Sequence, residues 1–283
     1  MASTDTYDIV RLAPGDAERA LPLSVEAGWN QVAADWSFML ESGSAFGVAE
    51  GERFIASALE LPLGGALSWI SMVLVTQDRR RFGLGTKLLK RCIERAPQAA
   101  GLDATELGRP VYLPLGFRDL YRISRYRLPA VPPPVAAPSG IEMRLLRSAD
   151  MARLADWDSE RSAVARGPIL AHLQARLPAL AWCAWRGERP AGYVLGRNGR
   201  LATQIGPIVA ENEEIAIALC AQAMEAAPAP FFVDAVDEHR AFCRWLEHSG
   251  AVAPRFFIRM VRGEISGLER PDWIHAIAGP ELG

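Results

Sequence analysis

The strongest constraint on the fold is a proline- and alanine-rich segment near the middle of the chain. Residues 129–140 read PAVPPPVAAPSG. Proline has no amide hydrogen and clashes with the preceding helical turn, so this segment cannot continue a helix or form a central strand. It predicts a semi-rigid extended linker between a first domain at residues 1–128 and a second at residues 141–283. A length of 283 residues also fits two domains better than one.

The two halves carry similar patterns in the same order. YDIVRLAPGDAERA, residues 7–20, and IEMRLLRSADMARL, residues 141–154, each predict a strand, a turn and a helix. WISMVLV, residues 69–75, has a counterpart in TQIGPIV, residues 203–209, and a helical pattern follows each of them. Each half then ends with a helix, a glycine and a final strand. We interpret the chain as a divergent tandem repeat of one α/β domain.

Composition narrows the class of protein. Half of the residues are hydrophobic and the formal net charge is −2, which argues against a dedicated nucleic-acid binder. The four cysteines are widely spaced and show no metal or redox motif, so we predict buried free thiols and no metal site. The first residues lack the apolar core of a secretory signal, and no apolar run has membrane-spanning length. These patterns predict a cytoplasmic protein with no membrane partner.

The most informative stretch is VLVTQDRRRFGLGTKLL, residues 73–89. An apolar run typical of a buried strand leads into an arginine- and glycine-rich loop and then into helical spacing. A helix N-terminus exposes unpaired N–H groups and the positive end of the helix dipole, so it attracts anions. Gly83 and Gly85 let a ligand approach the backbone, and Arg80 and Arg81 offer forked donors to phosphate oxygens. The loop therefore predicts a pyrophosphate site.

Two familiar nucleotide-binding loops do not fit this stretch. A P-loop ends in Gly-Lys-Ser/Thr, but the order here is Gly85-Thr86-Lys87. A Rossmann loop needs a third glycine where Leu88 stands, and an acid at a strand end that Asp103 does not clearly provide. A solvated basic turn is the plainer alternative. The placement of the glycines between a buried strand and a helix favours the anion site.

These residues resemble a known family. Arg80–Gly85, following WISMVLV, resembles the R/Q-x-x-G-x-G/A motif of the GNAT superfamily of acyl-CoA-dependent N-acyltransferases. GLDATELGRPVYLPLGF, residues 101–117, resembles the family's fifth strand and the short helix that carries a tyrosine ahead of Gly-Phe. The resemblance implies an α/β fold of two tandem GNAT-like domains. Each would be a mixed, mostly antiparallel sheet with a V-shaped splay and flanking helices.

The resemblance also implies an activity, the transfer of an acetyl group from acetyl-CoA, as cosubstrate, to a primary amine. The implied cofactor-binding residues are Met72, Val73, Val75, Arg80, Arg81, Phe82, Gly83, Leu84, Gly85 and Thr86. Tyr112, four residues before Gly116, matches the family's general acid, which protonates the departing thiolate. The alternative for Tyr112 is ordinary packing with its hydroxyl at the surface, and the nearby Pro114 leaves its local geometry open.

The general base is harder to assign, because LSWISMVLV, residues 67–75, contains no carboxylate where many family members have one. Glu26, Asp35 and Glu60 are the substitutes that we consider, with a solvated surface acid as the alternative for each. The stretch GWNQVAADWSFML, residues 28–40, contains candidates for the lining of an acceptor pocket, namely Trp29, Asn30, Trp36 and Phe38. Plain core is the alternative for Trp36 and Phe38. The acceptor is expected to be a small-molecule amine.

The second half is interpreted as a degenerate copy. IGPIVAENEEIAIAL, residues 205–219, places acids where phosphates would need donors, and Leu246 stands where a tyrosine would be required. This half is expected to pack on the first, to complete the acceptor pocket or to mediate oligomerisation, for example as a homodimer. Asp234 and Asp237 are weak candidates for substrate contact. A non-catalytic acyl-CoA-binding or regulatory protein and a protein-lysine acetyltransferase are the alternative functions.

Overall fold

The computed structural model describes residues 7–96, 98–162, 164–264, 266–268 and 271–283. The chain forms two compact units. The first comprises Met1–Leu102, Gly199–Leu201 and Val261–Glu264, and the second comprises Asp103–Asn198, Ala202–Met260 and Ile265–Gly283. Residues 103–128 thus group with the second unit, although they precede the linker in the sequence. The domain boundaries inferred from the linker stay a prediction.

The secondary structure alternates short helices with strands. The strands are β1 (Val10–Arg11), β2 (Ser44–Glu50), β3 (Arg53–Pro62), β4 (Leu67–Val75), β5 (Ala99–Ala104), β6 (Arg118–Leu128), β7 (Glu142–Leu145), β8 (Trp182–Arg186), β9 (Arg189–Arg197), β10 (Thr203–Ala210), β11 (Phe231–Val236), β12 (Val252–Arg262) and β13 (Ile274–Ala276). The helices are α1 (Ala17–Glu26), α2 (Ala33–Ser42), α3 (Leu84–Ile93), α4 (Arg109–Tyr112), α5 (Met151–Ser162), α6 (Gly167–Arg176), α7 (Glu213–Glu225) and α8 (Arg240–His248).

The same order of elements occurs twice. The first repeat runs from β1 to β6 and the second from β7 to β12, and their helices and strands follow one another in the same sequence. The tandem repeat predicted from the sequence is confirmed at this level. β13 is additional, since no described element of the first repeat corresponds to it.

The sheet of the first unit has the strand order β1-β2-β3-β4-β5. All neighbours are antiparallel except β4 and β5, which run parallel. α1 and α3 cover opposite faces: the guanidinium of Arg19 lies 4.6 Å from the ring centre of Phe54, and that of Arg91 lies 5.8 Å from the ring centre of Phe46. α3 buries the apolar side of the helical spacing seen in the sequence, including Leu88.

The sheet of the second unit has the strand order β12-β6-β11-β13-β10-β9-β8-β7. β6, the last strand of the first repeat, pairs antiparallel with β11 from Ile123↔Val236 to Leu128↔Phe231. α7 lies in the core of this unit, and its small and apolar residues such as Leu219 are fully buried. The mixed, mostly antiparallel α/β architecture expected from the sequence is confirmed.

The four cysteines are free and buried, as predicted from their spacing. Burial raises the pKa of each thiol, so none is a ready nucleophile at neutral pH. Among the described residues, no cluster of histidine, cysteine, aspartate or glutamate side chains has the arrangement of a metal site. In the same part of the chain, no helix combines the length and the apolar character needed to cross a membrane.

Candidate functional site

In the first unit, two parallel strands pair over only part of their length, and we call the unpaired part of such a pair a cleft. β4 and β5 pair from Leu67↔Ala99 to Trp69↔Gly101, and the pairing stops there although β4 continues to Val75. Within the described chain, the rest of β4 has no partner strand on this side. Unpaired backbone N–H and C=O groups bind strongly to other hydrogen-bonding groups, so this edge can receive an extended ligand. This separation is the V-shaped splay that the sequence resemblance predicted.

A bulge interrupts β4 in the part that pairs with β3 but not with β5. Met72 has a φ of +51°, and the register between β3 and β4 shifts between Ser57 and Leu59. The Ser57 hydroxyl donates to the Met72 carbonyl at 2.7 Å and so holds it on the β3 side. Met72 and Arg81 are the non-glycine residues with positive φ in the described chain. Such conformations cost about 1–3 kcal/mol and cluster at functional sites. Their presence here indicates that the bulge and the following loop belong to a functional site.

The loop after β4 gives its three arginines different settings. Arg79 donates to both carboxylate oxygens of Glu50, at 2.8 Å each, and this hydrogen bonding lowers the pKa of Glu50. Arg80 donates from Nε to the Val75 carbonyl at 3.3 Å. Arg80 and Arg81 are exposed, and in the described chain neither forms an ion pair. The two arginines predicted to meet phosphate therefore keep an unneutralised charge.

The start of α3 offers free backbone donors. Gly83 has a φ of +76° and caps the helix without a side-chain hydrogen bond, and the first turn contains no acid. Within the described residues, no group accepts a hydrogen bond from the N–H groups of residues 81–86. The helix dipole adds partial positive charge at the same place. These donors fit a diphosphate, and they come from the backbone rather than from one specific side chain.

Gly85 is not required by internal packing. A Cβ at this position would lie 3.4 Å from Cγ2 of Val75 and 3.8 Å from Cγ1 of Val73, which are ordinary contact distances. Glycine in a helix is less stable than alanine by about 1 kcal/mol. Internal packing therefore does not explain this glycine, and its lack of a side chain leaves the backbone open to close approach.

The two glutamates considered as bases lie in separate settings. Glu26 ends α1, and its Oε1 accepts from the backbone N–H of Gln77 at 2.7 Å. Glu60 lies on β3, is 5% exposed, and accepts from the Ser68 hydroxyl at 2.6 Å. Its second oxygen lies 3.5 Å from Nε of Arg95. Both carboxylates already have partners, and a catalytic role for either stays a prediction.

Residues 28–40, considered as a lining for the acceptor, fall into two groups. Some lie in the hydrophobic core, and others lie in the connection between α1 and α2. Trp36 is fully buried, with its indole N–H bonded to a serine hydroxyl of α1, so it belongs to the core. Asp35 is buried and caps the start of α2. Trp29 and Asn30 lie between α1 and α2, where their backbone carbonyls accept hydrogen bonds from Arg200.

The second unit holds Tyr112 at the end of α4. Its half-buried ring lies against Phe117, with the ring centres 6.0 Å apart. Pro114 falls in the first turn of the next short helix, where no amide donor is needed, so it does not distort α4. Burial of the hydroxyl raises the pKa of Tyr112 to about 12. Tyr112 therefore keeps its proton at neutral pH, as a proton donor must.

The second repeat has an equivalent splay, and the chain fills it itself. Thr203–Ile205 of β10 pair in parallel with Phe231–Val233 of β11. Beyond that point β13 enters between the two strands and pairs antiparallel with both. The approach is close, since a Cβ on Gly206 would overlap the carbonyl oxygen of Ile277. The carboxy-terminal segment thus satisfies the strand edges that stay unpaired in the first repeat.

Residues 271–283, which we call the tail, are held by polar contacts of Glu281 and Gly283. Nearly all residues of 274–283 are buried. Glu281 forms a buried ion pair with Arg197. The carbonyl of Gly283 accepts from Nη1 of Arg166 at 3.2 Å. The tail is therefore part of the core of the second unit.

The helix after β10 also differs at its start from α3. Asn212 caps α7, and its Oδ1 accepts from the N–H of Ile215 at 3.0 Å. Glu213 and Glu214 occupy the first turn. Acids at this position interact favourably with the helix dipole and repel a phosphate. The cap and the acidic first turn support the interpretation of the second repeat as degenerate.

Three further residues of the second repeat were singled out in the sequence. Leu246 is fully buried on α8. Asp234 is fully buried and accepts from two nitrogens of Arg125, at 2.7 Å each. Asp237 pairs with Arg122 at 3.1 Å. A substrate contact for Asp234 was wrong, because an arginine of β6 neutralises it inside the core.

Two elements were missed in the sequence, the strand β13 and the turn Gly199–Leu201, which belongs to the first unit. WIHAIA, residues 273–278, is a short apolar run that is consistent with a buried strand, and it is the available signal for β13. The sequence contains no comparable signal for the turn. The turn donates hydrogen bonds to backbone carbonyls, and every residue has a backbone carbonyl whatever its side chain.

Comparison with protein families matches both repeats. The model described as "Acetyltransferase (GNAT) family" matches residues 8–117. The model described as "Acetyltransferase (GNAT) domain" matches residues 155–273. Together the two matches span most of the chain.

Individual proteins show the same similarity. The chain is 24% identical over 243 residues to the uncharacterised N-acetyltransferase YitH of Bacillus subtilis (strain 168), with 82% of this chain and 83% of the relative covered. A putative acetyltransferase from Pyrococcus horikoshii has 19% identity and a TM-score of 0.79, with 98% of this chain and 96% of the other covered. A tandem GNAT protein from the clavulanic acid biosynthesis pathway has 14% identity and a TM-score of 0.62, with 91% and 98% covered. At these identities the solved structures show the fold.

Proposed function

Because the chain belongs to the GNAT acetyltransferases as a tandem member, we propose that its first repeat transfers the acetyl group of acetyl-CoA to the primary amine of a small molecule. One observation carries the proposal. The N–H groups of residues 81–86, which have no acceptor within the described chain, follow directly on the unpaired part of β4. In the second repeat, which has the same fold, β13 pairs with both separating strands, and Asn212 and two glutamates occupy the start of α7.

In this proposal the first unit binds acetyl-CoA through its backbone. The residues that would hold it are Met72, Val73, Val75, Arg80, Arg81, Phe82, Gly83, Leu84, Gly85 and Thr86. Acetyl-CoA supplies a thioester whose carbonyl carbon an amine can attack directly. Holding the thioester at a fixed edge removes much of the entropy cost of bringing two reactants together.

Tyr112 is the proposed proton donor. The transfer forms a carbon–nitrogen bond and breaks a carbon–sulfur bond, and Tyr112 gives its phenolic proton to the leaving sulfur. The support is the place of Tyr112 in the motif. Its hydroxyl also carries a proton at neutral pH, since burial raises its pKa to about 12. The proton lost by the amine is assigned to Glu26 or Glu60. Glu26 is the more accessible of the two, since Glu60 is 5% exposed.

The direct test follows free thiol when the protein is mixed with acetyl-CoA and a panel of primary amines. We expect thiol release that depends on the amine. Tyr112→Phe should lower kcat by about a hundredfold or more, the usual contribution of a general acid, while calorimetry shows unchanged acetyl-CoA binding. Tyr126→Phe removes a tyrosine hydroxyl elsewhere in the same unit and should keep wild-type kcat. An unchanged kcat in Tyr112→Phe would remove the proposed role.

A second candidate function is acyl-CoA binding without turnover. It is favoured by the lack of a carboxylate on β4 and by the partners that already occupy Glu26 and Glu60. It predicts calorimetric binding of acetyl-CoA but no thiol release with any amine. Adding a lysine-containing peptide to the panel also tests the third alternative, protein-lysine acetylation.

The number of binding sites tests the assignment to the first repeat. We expect a single acetyl-CoA per chain, because the tail fills the second cleft and acids occupy the first turn of α7. Titration calorimetry gives this ratio directly. A second equivalent would contradict the assignment.

A further inference from the structure

The connection between α1 and α2 is held by residues that come from the second repeat. Gly199–Leu201 form the turn between β9 and β10 and belong to the first compact unit. The connection itself spans residues 27–32 and contains Trp29 and Asn30. Backbone carbonyls in such a connection need donors from elsewhere, because no helix or strand supplies them.

The donors come from this turn. The backbone N–H of Arg200 donates to the Asn30 carbonyl at 2.8 Å. Nε and Nη2 of Arg200 donate to the Trp29 carbonyl, 171 positions earlier in the chain, at 3.3 and 3.0 Å. The N–H of Leu201 donates to Oδ1 of Asn30 at 2.9 Å. The turn therefore fixes both the backbone of the connection and one of its side chains.

The packing around these bonds is tight. Asn30 is 1% exposed, and a Cβ on Gly199 would overlap its side-chain amide. The glycine thus permits an approach that no other residue permits. Arg200 itself is exposed, so its side chain serves the connection without being part of the core.

The next residue, Gln31, carries a buried acceptor without a partner. It is 4% exposed, and among the described residues nothing donates to its Oε1. Buried polar atoms in native proteins are nearly always hydrogen-bonded, so such an atom indicates a water or a ligand. At the start of the connection, Glu26 binds the N–H of Gln77, just after β4. The connection is thereby tethered beside the end of β4 that leads into the loop.

We infer that the Gly199–Leu201 turn is a positioning element for the acceptor, fixing the connection so that Oε1 of Gln31 receives a hydrogen bond from the incoming amine. The inference rests on the proposed function, since it assigns the acceptor side of the same site. Arg200 is then a positioning residue and Gln31 a substrate contact. The second repeat contributes to the choice of amine even though its own cleft is filled.

The test compares Arg200→Ala with Arg189→Ala, which removes an exposed arginine at the start of β9, next to the turn between β8 and β9. Kinetics use acetyl-CoA with ethanolamine, tyramine, glucosamine and spermidine as probes. For the preferred probe, Arg200→Ala should raise KM about tenfold, the effect of losing a charge-assisted hydrogen bond. The Kd of acetyl-CoA should not change, and the spread of kcat/KM among the probes should narrow. Arg200→Lys should restore part of the loss.

Hydrogen exchange supplies a readout that does not need turnover. The peptide containing residues 27–33 should exchange faster in Arg200→Ala and in Gly199→Ala, and at the wild-type rate in Arg189→Ala. Unchanged exchange in both Arg200→Ala and Gly199→Ala overturns the positioning role. Faster exchange with an unchanged KM for every probe overturns the role in acceptor binding. If the wild type acetylates none of the probes, the proposed function fails, and the exchange result still decides the positioning role.

Discussion

The two repeats build the same pair of separating parallel strands and use it in opposite ways. In the first repeat the edge of β4 is unpaired and α3 starts with free N–H groups. In the second repeat β13 lies between the strands, and Asn212 and Glu213 occupy the start of the helix. The comparison teaches that a splayed pair needs a partner for its backbone. In the second repeat that partner is β13, a later strand of the same chain, and in the first repeat the edge of β4 stays open within the described chain.

The largest expected effect comes from breaking the filled cleft. Glu281→Gln leaves the buried guanidinium of Arg197 opposite a neutral amide, and removing one charge of a buried pair costs about 3–5 kcal/mol. Urea unfolding of the full chain measures this loss of unfolding free energy. Glu238→Gln, at an exposed position of the same unit, should change it by less than about 0.5 kcal/mol. Equal stability of the two variants would show that this pair does not anchor the tail.

The next effect comes from making the first repeat resemble the second. Gly85→Glu gives α3 an acidic first turn like that of α7. We expect about a hundredfold weaker acetyl-CoA binding, because a charge-assisted contact worth about 1.5–3 kcal/mol is replaced by repulsion. The fold should be stabilised slightly, by about 0.3–1 kcal/mol, through the helix dipole.

Calorimetry and thermal unfolding separate these two effects of Gly85→Glu. Lys90→Gln makes the same change in net charge at an exposed position further along α3, and should bind acetyl-CoA nearly as the wild type does. Wild-type affinity in Gly85→Glu would contradict a diphosphate site at this helix.

A smaller effect concerns the internal cap of the second repeat. Asn212→Ala removes the side chain that accepts from the N–H of Ile215, and should lower the unfolding free energy by about 1 kcal/mol. Asn212→Asp is the matched control, since aspartate caps a helix as well as asparagine does. Denaturant unfolding of both variants gives the comparison, and an equal loss in both would mean that the cap is not the cause.

The smallest expected effect concerns Tyr112, the proposed proton donor, whose position in the second repeat is taken by Leu246. We expect its contribution to kcat not to depend on pH. The pKa of Tyr112 is raised to about 12 by burial, so the hydroxyl stays protonated from about pH 7 to about pH 9. The ratio of kcat between the wild type and Tyr112→Phe should therefore be constant over this range. A ratio that falls towards unity as the pH rises would contradict a protonated hydroxyl.

The same shift sets the sign of the contribution of Tyr112 to stability. Unfolded tyrosine loses its proton near pH 10, and folded Tyr112 near pH 12. Below about pH 10 both states are protonated and the group adds no pH dependence. As the pH rises between these values the unfolded state binds fewer protons, so the unfolding free energy falls.

The fold of each repeat was predictable because its signals are local. The spacing of Leu84, Leu88 and Leu89 predicts one buried helical side, and α3 buries these residues. The choice of sheet partners is not local. Nothing in the sequence of β6 indicates that its partner is β11, and nothing but a short apolar run indicates that β13 lies beside β10.

The candidate site shows the same limit. The glycines and arginines of the loop lie within a few positions of one another, so the sequence alone indicates an anion site. The partner of Asp234 is Arg125, 109 positions away, and the sequence left Asp234 as a weak candidate for substrate contact. Side chains whose environment depends on distant partners, such as Asp234 and Glu26, are those whose setting could not be read in advance.

The pairing of β6 with β11 has a consequence for how such a chain evolves. β6 closes the first copy in the gene, yet its backbone is satisfied by a strand of the second copy. Deleting either copy would bare a long strand edge, and bare edges promote aggregation. We therefore expect either repeat alone to be less soluble than the full chain, whether or not it binds a ligand. The pairing of main-chain groups thus gives a reason to keep both repeats that does not depend on whether each of them performs a reaction.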